Sequence, residues 1–190
     1  YLEVEGSEIF DEIKRNNEQV VFISGHFNNF ELMAMEIEKS GIDVAAIYRP
    51  LNNIFLNTIM EKIRKEYICK YQIKKGMSGA REIIKLYKNG FSIALMIDQR
   101  VREGIKLNFF GKPASTTTIP AQLVKKFGCK IVPIYIERID KFYYKIKISR
   151  PIDFDKNQSI EKISLVLNEE LEKMILKRPG QWIWSHDRWK

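Results

Sequence analysis

The stretch VVFISGHFNNFELMAMEIEKSG (Val20–Gly41) sets the reading of the whole chain. With Gln19 before it, its start is a run of β-branched and aromatic residues too short for a helix, which reads as a buried strand over 19–24. Asn28 or Asn29 then offers a side-chain cap. Phe30, Met33, Ala34 and Ile37 recur at helical spacing, and Gly41 closes the helix. His26, one of two histidines in the chain, stands on the turn between strand and helix. Glu31 follows in the helix's first turn.

Working outward, the same alternation repeats. Residues 7–16 read as a short helix, 43–48 as a strand stopped by Arg49-Pro50, 53–65 as an amphipathic helix, and "YICKYQI" (67–73) as a short strand. Residues 77–88 form a helix closed by Asn89-Gly90, and "FSIALMI" (91–97) a central strand ending at Asp98-Gln99. After the loop 100–104, "IKLNFF" is strand-like, and "STTT" (115–118) caps a helix running to Phe127. Residues 130–138 and 142–149 flank a tight turn and predict a hairpin. A long helix covers 159–177. Strands alternating with helices, then a hairpin, predict an α/β fold: a three-layer αβα sandwich with a mixed central sheet. Ligands in such sheets gather at the carboxyl ends of the strands. His26, Arg49 and Asp98 each follow a strand directly, so parallel strands bring them to one rim.

The bulk properties bound the function. A chain of 190 residues, 45% hydrophobic and 29% charged, is enough for one globular domain with its own core. No apolar run approaches the roughly 20 residues that span a bilayer. Cys69 and Cys129 lack metal-type spacing and read as reduced thiols. Two histidines, with no C-x-x-C and no H-E-x-x-H, exclude the common zinc patterns. The net charge of +8 fits compositional drift in a Lys-, Ile- and Asn-rich chain, or an acidic partner: nucleic acid, an anionic membrane surface or an acidic protein.

A histidine at a strand-to-helix turn lies where helix-start N–H groups favour developing negative charge. Glu31, one wrap of chain away, is placed to accept from one imidazole nitrogen and leave the other as a base, or simply to compensate the helix dipole. No Ser or Cys elbow lies nearby, so the pair suits direct activation of a hydroxyl. Arg49 reads as a phosphate or oxyanion fork, or as an ordinary surface arginine. Ser115, Thr116 and Thr117 read as a phosphate-binding helix start or as plain N-capping. Asp98 and Gln99 position Arg49 or a substrate, or mark a strand-end turn. The tail sets Trp182, Trp184 and Trp189 among Arg178, His186, Arg188 and Lys190, a mixture that fits a membrane interface as well as core packing.

These motifs carry a resemblance. "GHFNNFE" resembles the H-x4-E signature of the late (secondary) lipid A acyltransferases of Gram-negative bacteria. "IYRPLNN" and "MIDQ" are similar to that family's Y-R-P and D-Q blocks. "FFGKPASTTTIPAQLVKKFGCKIVPIYIER" and "NEELEKMILKRPGQWIWSHDRWK" resemble its longer carboxyl-terminal blocks. Asn28, Phe30 and Arg100 depart from residues common in the family. The resemblance implies a glycerolipid-acyltransferase-like fold, with residues 1–190 as a catalytic domain lacking an N-terminal membrane anchor. It implies acyl transfer from acyl carrier protein to a hydroxyl of a phosphorylated glycolipid acceptor, at the cytoplasmic face of the inner membrane. His26 would be the general base, Glu31 its support, and Arg49, Asp98, Gln99, Ser115, Thr116, Thr117 and Arg138 the substrate-binding residues. It implies no cofactor or metal. The alternatives are acyl-CoA as donor, another glycolipid as acceptor, thioester hydrolysis, and a basic nucleic-acid-binding domain. The last is disfavoured by lysines scattered over most elements.

Overall fold

The computed structural model describes residues 1–190, the Met77 side chain excepted. In chain order the strands are β1 (Leu2–Glu5), β2 (Val21–Ser24), β3 (Val44–Tyr48), β4 (Tyr71–Lys74), β5 (Ser92–Met96), β6 (Ile105–Phe109), β7 (Lys112–Thr116), β8 (Ile131–Asp140) and β9 (Tyr143–Ile148). The helices are α1 (Glu8–Arg15), α2 (Glu31–Lys39), α3 (Ile54–Tyr67), α4 (Met77–Lys88), α5 (Ile119–Phe127) and α6 (Ile160–Lys177). Seven strands form one sheet in the order β1-β9-β8-β2-β5-β3-β4. All neighbours in it run parallel except the β8–β9 hairpin, and β6 and β7 form a separate antiparallel pair. The sequence-based expectation of an α/β fold around a mixed sheet therefore holds.

The most apolar strand segments are the most central. Val21, Phe22 and Ile23 on β2 and Ile131 and Val132 on β8 are buried, as strands covered on both faces require. Crossovers through α2 and α3 step toward the β4 edge, while the crossover through α4 steps back to β5. Right-handed connection puts α2 and α3 on one face and α4 on the other. The long helix α6, capped by the Ser159 hydroxyl, buries Ile163, Leu167, Leu171, Met174 and Ile175 along one stripe. Among the described residues no helix is long and apolar enough to cross a membrane.

Two expectations are corrected. Helix α3 runs through Tyr67, so the strand predicted over 67–73 is only Tyr71–Lys74. "STTT" does not cap a helix with its first residues: Ser115 and Thr116 end strand β7, and α5 begins at Ile119. The reason lies in the tail. Arg188, fully buried, donates to the Ser115 carbonyl (2.6 Å) and to Thr116 Oγ1 (2.9 Å), and stands 5.0 Å from the Phe109 ring centroid. Asn168 of α6 also donates to Thr116 Oγ1. These donors hold an extended segment that the β-branched residues already favour.

Arg188→Ala takes one donor from each of two buried acceptors, leaving Thr116 Oγ1 to Asn168 and the Ser115 carbonyl to the Val101 N–H at 3.4 Å, and removes the guanidinium packed against Phe109. We expect a loss of about 2–4 kcal/mol, read as a lower urea midpoint at unchanged slope. Arg188→Lys should recover little, because one ammonium does not reproduce the planar fork. An unchanged midpoint in both variants would contradict this account of the tail.

Candidate active site

The site begins with strand register. Ser24 of β2 lies opposite Met96 of β5. Two residues further along, His26 and Asp98 leave neighbouring strand ends side by side. The His26 Nδ1–H donates to Asp98 Oδ1 at 2.7 Å, and the His26 backbone N–H donates to Asp98 Oδ2 at 2.8 Å. The indole N–H of Trp182 donates to Oδ2 at 2.9 Å. Burial alone would raise the Asp98 carboxyl; its hydrogen bonds to His26, the imidazole's charge and the Trp182 bond outweigh this and hold it below its ordinary value of 3.8. With Nδ1 engaged, Nε2 is the imidazole atom left for chemistry.

The hydrogen bond that the sequence reading gave to Glu31 is thus made by Asp98. Glu31 Oε1 instead accepts from Arg64 of α3, from Nε at 2.9 Å and from Nη2 at 2.6 Å. Among the described residues Glu31 makes no hydrogen bond to His26. Spacing along the chain favoured Glu31; parallel register, invisible in linear spacing, favoured Asp98.

The turn itself is held by the tail. Asn28 takes a positive φ of 41° and donates its N–H to the Gln181 carbonyl, while Ile183 donates to the His26 carbonyl. Trp182 is 4% exposed and lies beneath the site. Trp189 is half-buried and donates to the Phe109 carbonyl, and Trp184 is exposed. Two of the three tryptophans are packing residues.

A cavity of about 460 Å³ opens beside His26. Its walls are largely apolar, with Phe30, Ala34, Ile47, Ile68, Met96 and Ile119. Its polar lining includes His26, Glu31, Arg49, Arg64, Lys75, Gln99, Thr117 and His186. Of the residues expected to bind substrate, Arg49, Gln99 and Thr117 reach this cavity, and Asp98 supports it from below. Ser115, Thr116 and Arg138 do not line it. The Ser115 hydroxyl donates to the Val101 carbonyl at 2.6 Å, Thr116 is held by Arg188 and Asn168, and Arg138 is exposed, its backbone paired with Gln181.

Sequence reasoning missed four contributors. Arg64 binds Glu31, and Trp182 binds Asp98. Lys75 faces the cavity with its pKa lowered by burial and then by the positive charge of Arg49. His186 has a buried Nδ1 with no partner among the described residues, and burial lowers its pKa. The Gln-Trp-x-Trp run was a usable signal for a buried indole donor; nothing local marked Arg64 or Lys75. Both cysteines are buried away from the cavity. Desolvation pushes the Cys69 and Cys129 thiols up to about 12 and about 11, so neither is an available nucleophile.

Known proteins add the decisive comparison. The sequence profile of the bacterial lipid A biosynthesis acyltransferases matches residues 1–190 in full. The chain belongs to this family. It is 24% identical over 183 residues to the lipid A biosynthesis myristoyltransferase of Escherichia coli K12, covering 95% of this chain and 56% of that protein. It is 26% identical over 196 residues to the lipid A biosynthesis lauroyltransferase of the same organism, covering 100% and 62%. The chain therefore spans a little over half the length of these family members. In fold it is similar to the 1-acyl-sn-glycerophosphate acyltransferase PlsC of Thermotoga maritima, with a TM-score of 0.58 at 17% identity over 95% of this chain and 73% of that one.

The depressed Asp98 carboxyl has a consequence for acid stability. Between its folded value and the ordinary 3.8, the unfolded chain binds the proton that the folded chain does not. The stabilisation is complete above that window and is lost as pH falls through it. Asp98→Asn removes this titration. The gap in urea midpoint between parent and variant should be widest near neutral pH and should narrow below pH 3.8. A gap that stays constant into acid would mean that Asp98 is not preferentially ionised in the fold.

Proposed function

We propose that this chain is the catalytic part of an acyltransferase that moves a fatty acyl group from a thioester donor to a hydroxyl of a lipid A precursor. The observation that carries this reading is the Nδ1–H of His26 bonded to buried Asp98, which leaves Nε2 as a base beside an apolar cavity with a cationic rim. Family membership supports the substrate class, and the cavity walls suit an acyl chain.

In the reaction, Nε2 takes the proton of the acceptor hydroxyl as its oxygen attacks the thioester carbonyl. Asp98 stabilises the imidazolium that forms. The tetrahedral oxyanion lies near the start of α2, where the N–H groups of Asn29 and Phe30 have no acceptor among the described residues; such donors are worth about 3–4 kcal/mol. Collapse breaks the C–S bond, and the imidazolium returns its proton to the departing thiolate. The products are the ester and the free thiol. Glu31 acts as a positioning residue, holding Arg64 in the cavity wall.

Arg49 and Lys75 are the cations we assign to the acceptor's phosphate. Arg49 is exposed at the mouth, and neither makes a salt bridge among the described residues. An acidic acyl carrier protein as donor fits the net charge of +8. Work at the cytoplasmic face of the inner membrane fits the acceptor.

The test is transfer of a labelled acyl chain, with mass spectrometry of lipid A from a strain lacking the protein. His26→Ala should lower kcat by at least about 10²-fold. Asp98→Asn should cost more than Glu31→Gln, because the amide no longer stabilises the imidazolium. Lys75→Gln should raise KM for the phosphorylated acceptor more than it lowers kcat. Full turnover in His26→Ala, or lipid A unchanged in the deletion strain, would refute the reading.

A further inference from the structure

Helix α3 is built inside out. Asn53 caps it, its side chain accepting from the Phe55 and Leu56 N–H groups. The face turned to the protein carries Asn57, Met60, Glu61 and Arg64, at i, i+3, i+4 and i+7 and all part-buried, with Ile68 just past the helix end. Three of these four are polar, and each is paired. Glu61 accepts from the Tyr48 hydroxyl (2.5 Å), Asn57 Nδ2 (2.7 Å) and Lys74 Nζ (3.0 Å), and Arg64 binds Glu31. The Tyr48 bond first, then Lys74 and Asn57, hold Glu61 down to about 2.

The opposite face is apolar and open. Phe55 is 85% exposed, Tyr67 63%, Ile59 56%, Leu56 54% and Ile63 42%, while Ile54, at the helix start on the Glu61 side, is 78% exposed. They line up at i, i+4, i+8 (55, 59, 63) and at 56, 63, 67, which is one side of a helix about 20 Å long. No α3 residue is fully buried. A helix that turns its hydrophobic stripe away from its own core has a second apolar phase to meet.

We propose that the outer face of α3 lies in the surface of an anionic bilayer and delivers the lipid acceptor to the cavity. The charge pattern identifies the occupant. Lys62 borders the stripe and Lys65 lies beyond it toward Glu61, neither within 4 Å of a carboxylate among the described residues; Glu66, seven residues after Ile59, is the one acid within the stripe. Arg49 and Lys70 lie exposed at its ends. An anionic surface complements such a rim. A second copy docked face to face would set the rim against itself. Position supports the same partner: Leu51, 42% exposed, precedes α3 and lines the cavity mouth, while Arg64 on the helix's inner face and Ile68 just past its end line the cavity itself. One helix therefore divides the lipid-facing surface from the reaction chamber. This inference rests on the functional reading above for the identity of the acceptor, but not for the binding itself.

The test uses the chain and vesicles of phosphatidylethanolamine with phosphatidylglycerol, compared with phosphatidylcholine alone. The parent chain should bind the anionic vesicles preferentially. Phe55→Gln/Ile59→Gln/Ile63→Gln, which keeps good helix formers on exposed positions, should lower the partition coefficient at least about 10-fold. Lys62→Gln/Lys65→Gln should weaken binding and flatten its salt dependence. None of these five residues lines the cavity, so turnover on detergent-dispersed acceptor should stay at the parent level while turnover on vesicle-embedded acceptor falls. Unchanged vesicle binding in the triple variant would overturn the proposal. So would loss of turnover on dispersed acceptor, or a parent dimer that the triple variant converts to monomer. Vesicle binding is read without any acyl transfer, and His26→Ala tests transfer without α3, so the two readings fail separately.

Discussion

The carboxylate of Asp98 is the group on which the site depends. Removing a carboxylate from water costs several kcal/mol unless it is compensated. Here it accepts from the His26 ring, the His26 backbone and the Trp182 indole. At about 1.5–3 kcal/mol for each bond to a charged group, the three offset the burial and keep the group ionised. They also tie together the end of β2, the end of β5 and the tail. His26 is fixed in ring orientation and tautomer by the contacts that hold the sheet's central rim to the residues after α6.

Around this point the molecule separates polar from apolar surface in an unusual way. The cavity has greasy walls, yet its rim and the inner face of α3 carry a chain of ionic and hydrogen-bonded pairs from Glu31 through Arg64, with its guanidinium 5.7 Å from the Tyr48 ring centroid, to Glu61 and Lys74. Those pairs fasten most of α3 to the β3–β4 edge, with Ile68 at its end packed against the core. The helix's hydrophobic residues are thereby released from the core and remain on the surface.

The sequence disclosed the fold through its periodicities: the Val20–Gly41 strand and helix, the 91–97 strand and the 159–177 helix all lie where their patterns put them. The carboxyl-end rim was legible too, because His26, Arg49 and Asp98 each follow a strand. What stayed hidden was lateral order. Nothing in linear spacing says that β5 inserts beside β2, and without that fact Glu31 is a natural partner for His26. "STTT" misled for a related reason: its strand is held by Arg188 and Asn168, more than 50 positions away along the chain. The amphipathic pattern of 53–65 was readable as such, but a pattern does not say which of its two faces points inward.

The clamp on the catalytic turn has a bearing on synthesis. Asn28 meets Gln181 across 153 positions, and Asp98 meets Trp182 across 84. Domains begin to fold while their later residues are still being made, and the β2–β5 core can pair as soon as β5 exists. The His26 turn gains its hold in two stages: Asp98 takes the His26 backbone and ring N–H groups, and residues 181–183 later pair with Asn28 and with the His26 carbonyl. A nascent chain thus has the partner of its histidine in place once β5 is complete, but the carboxylate and the turn are fastened to the rest of the fold only when the tail brings Trp182 and Ile183.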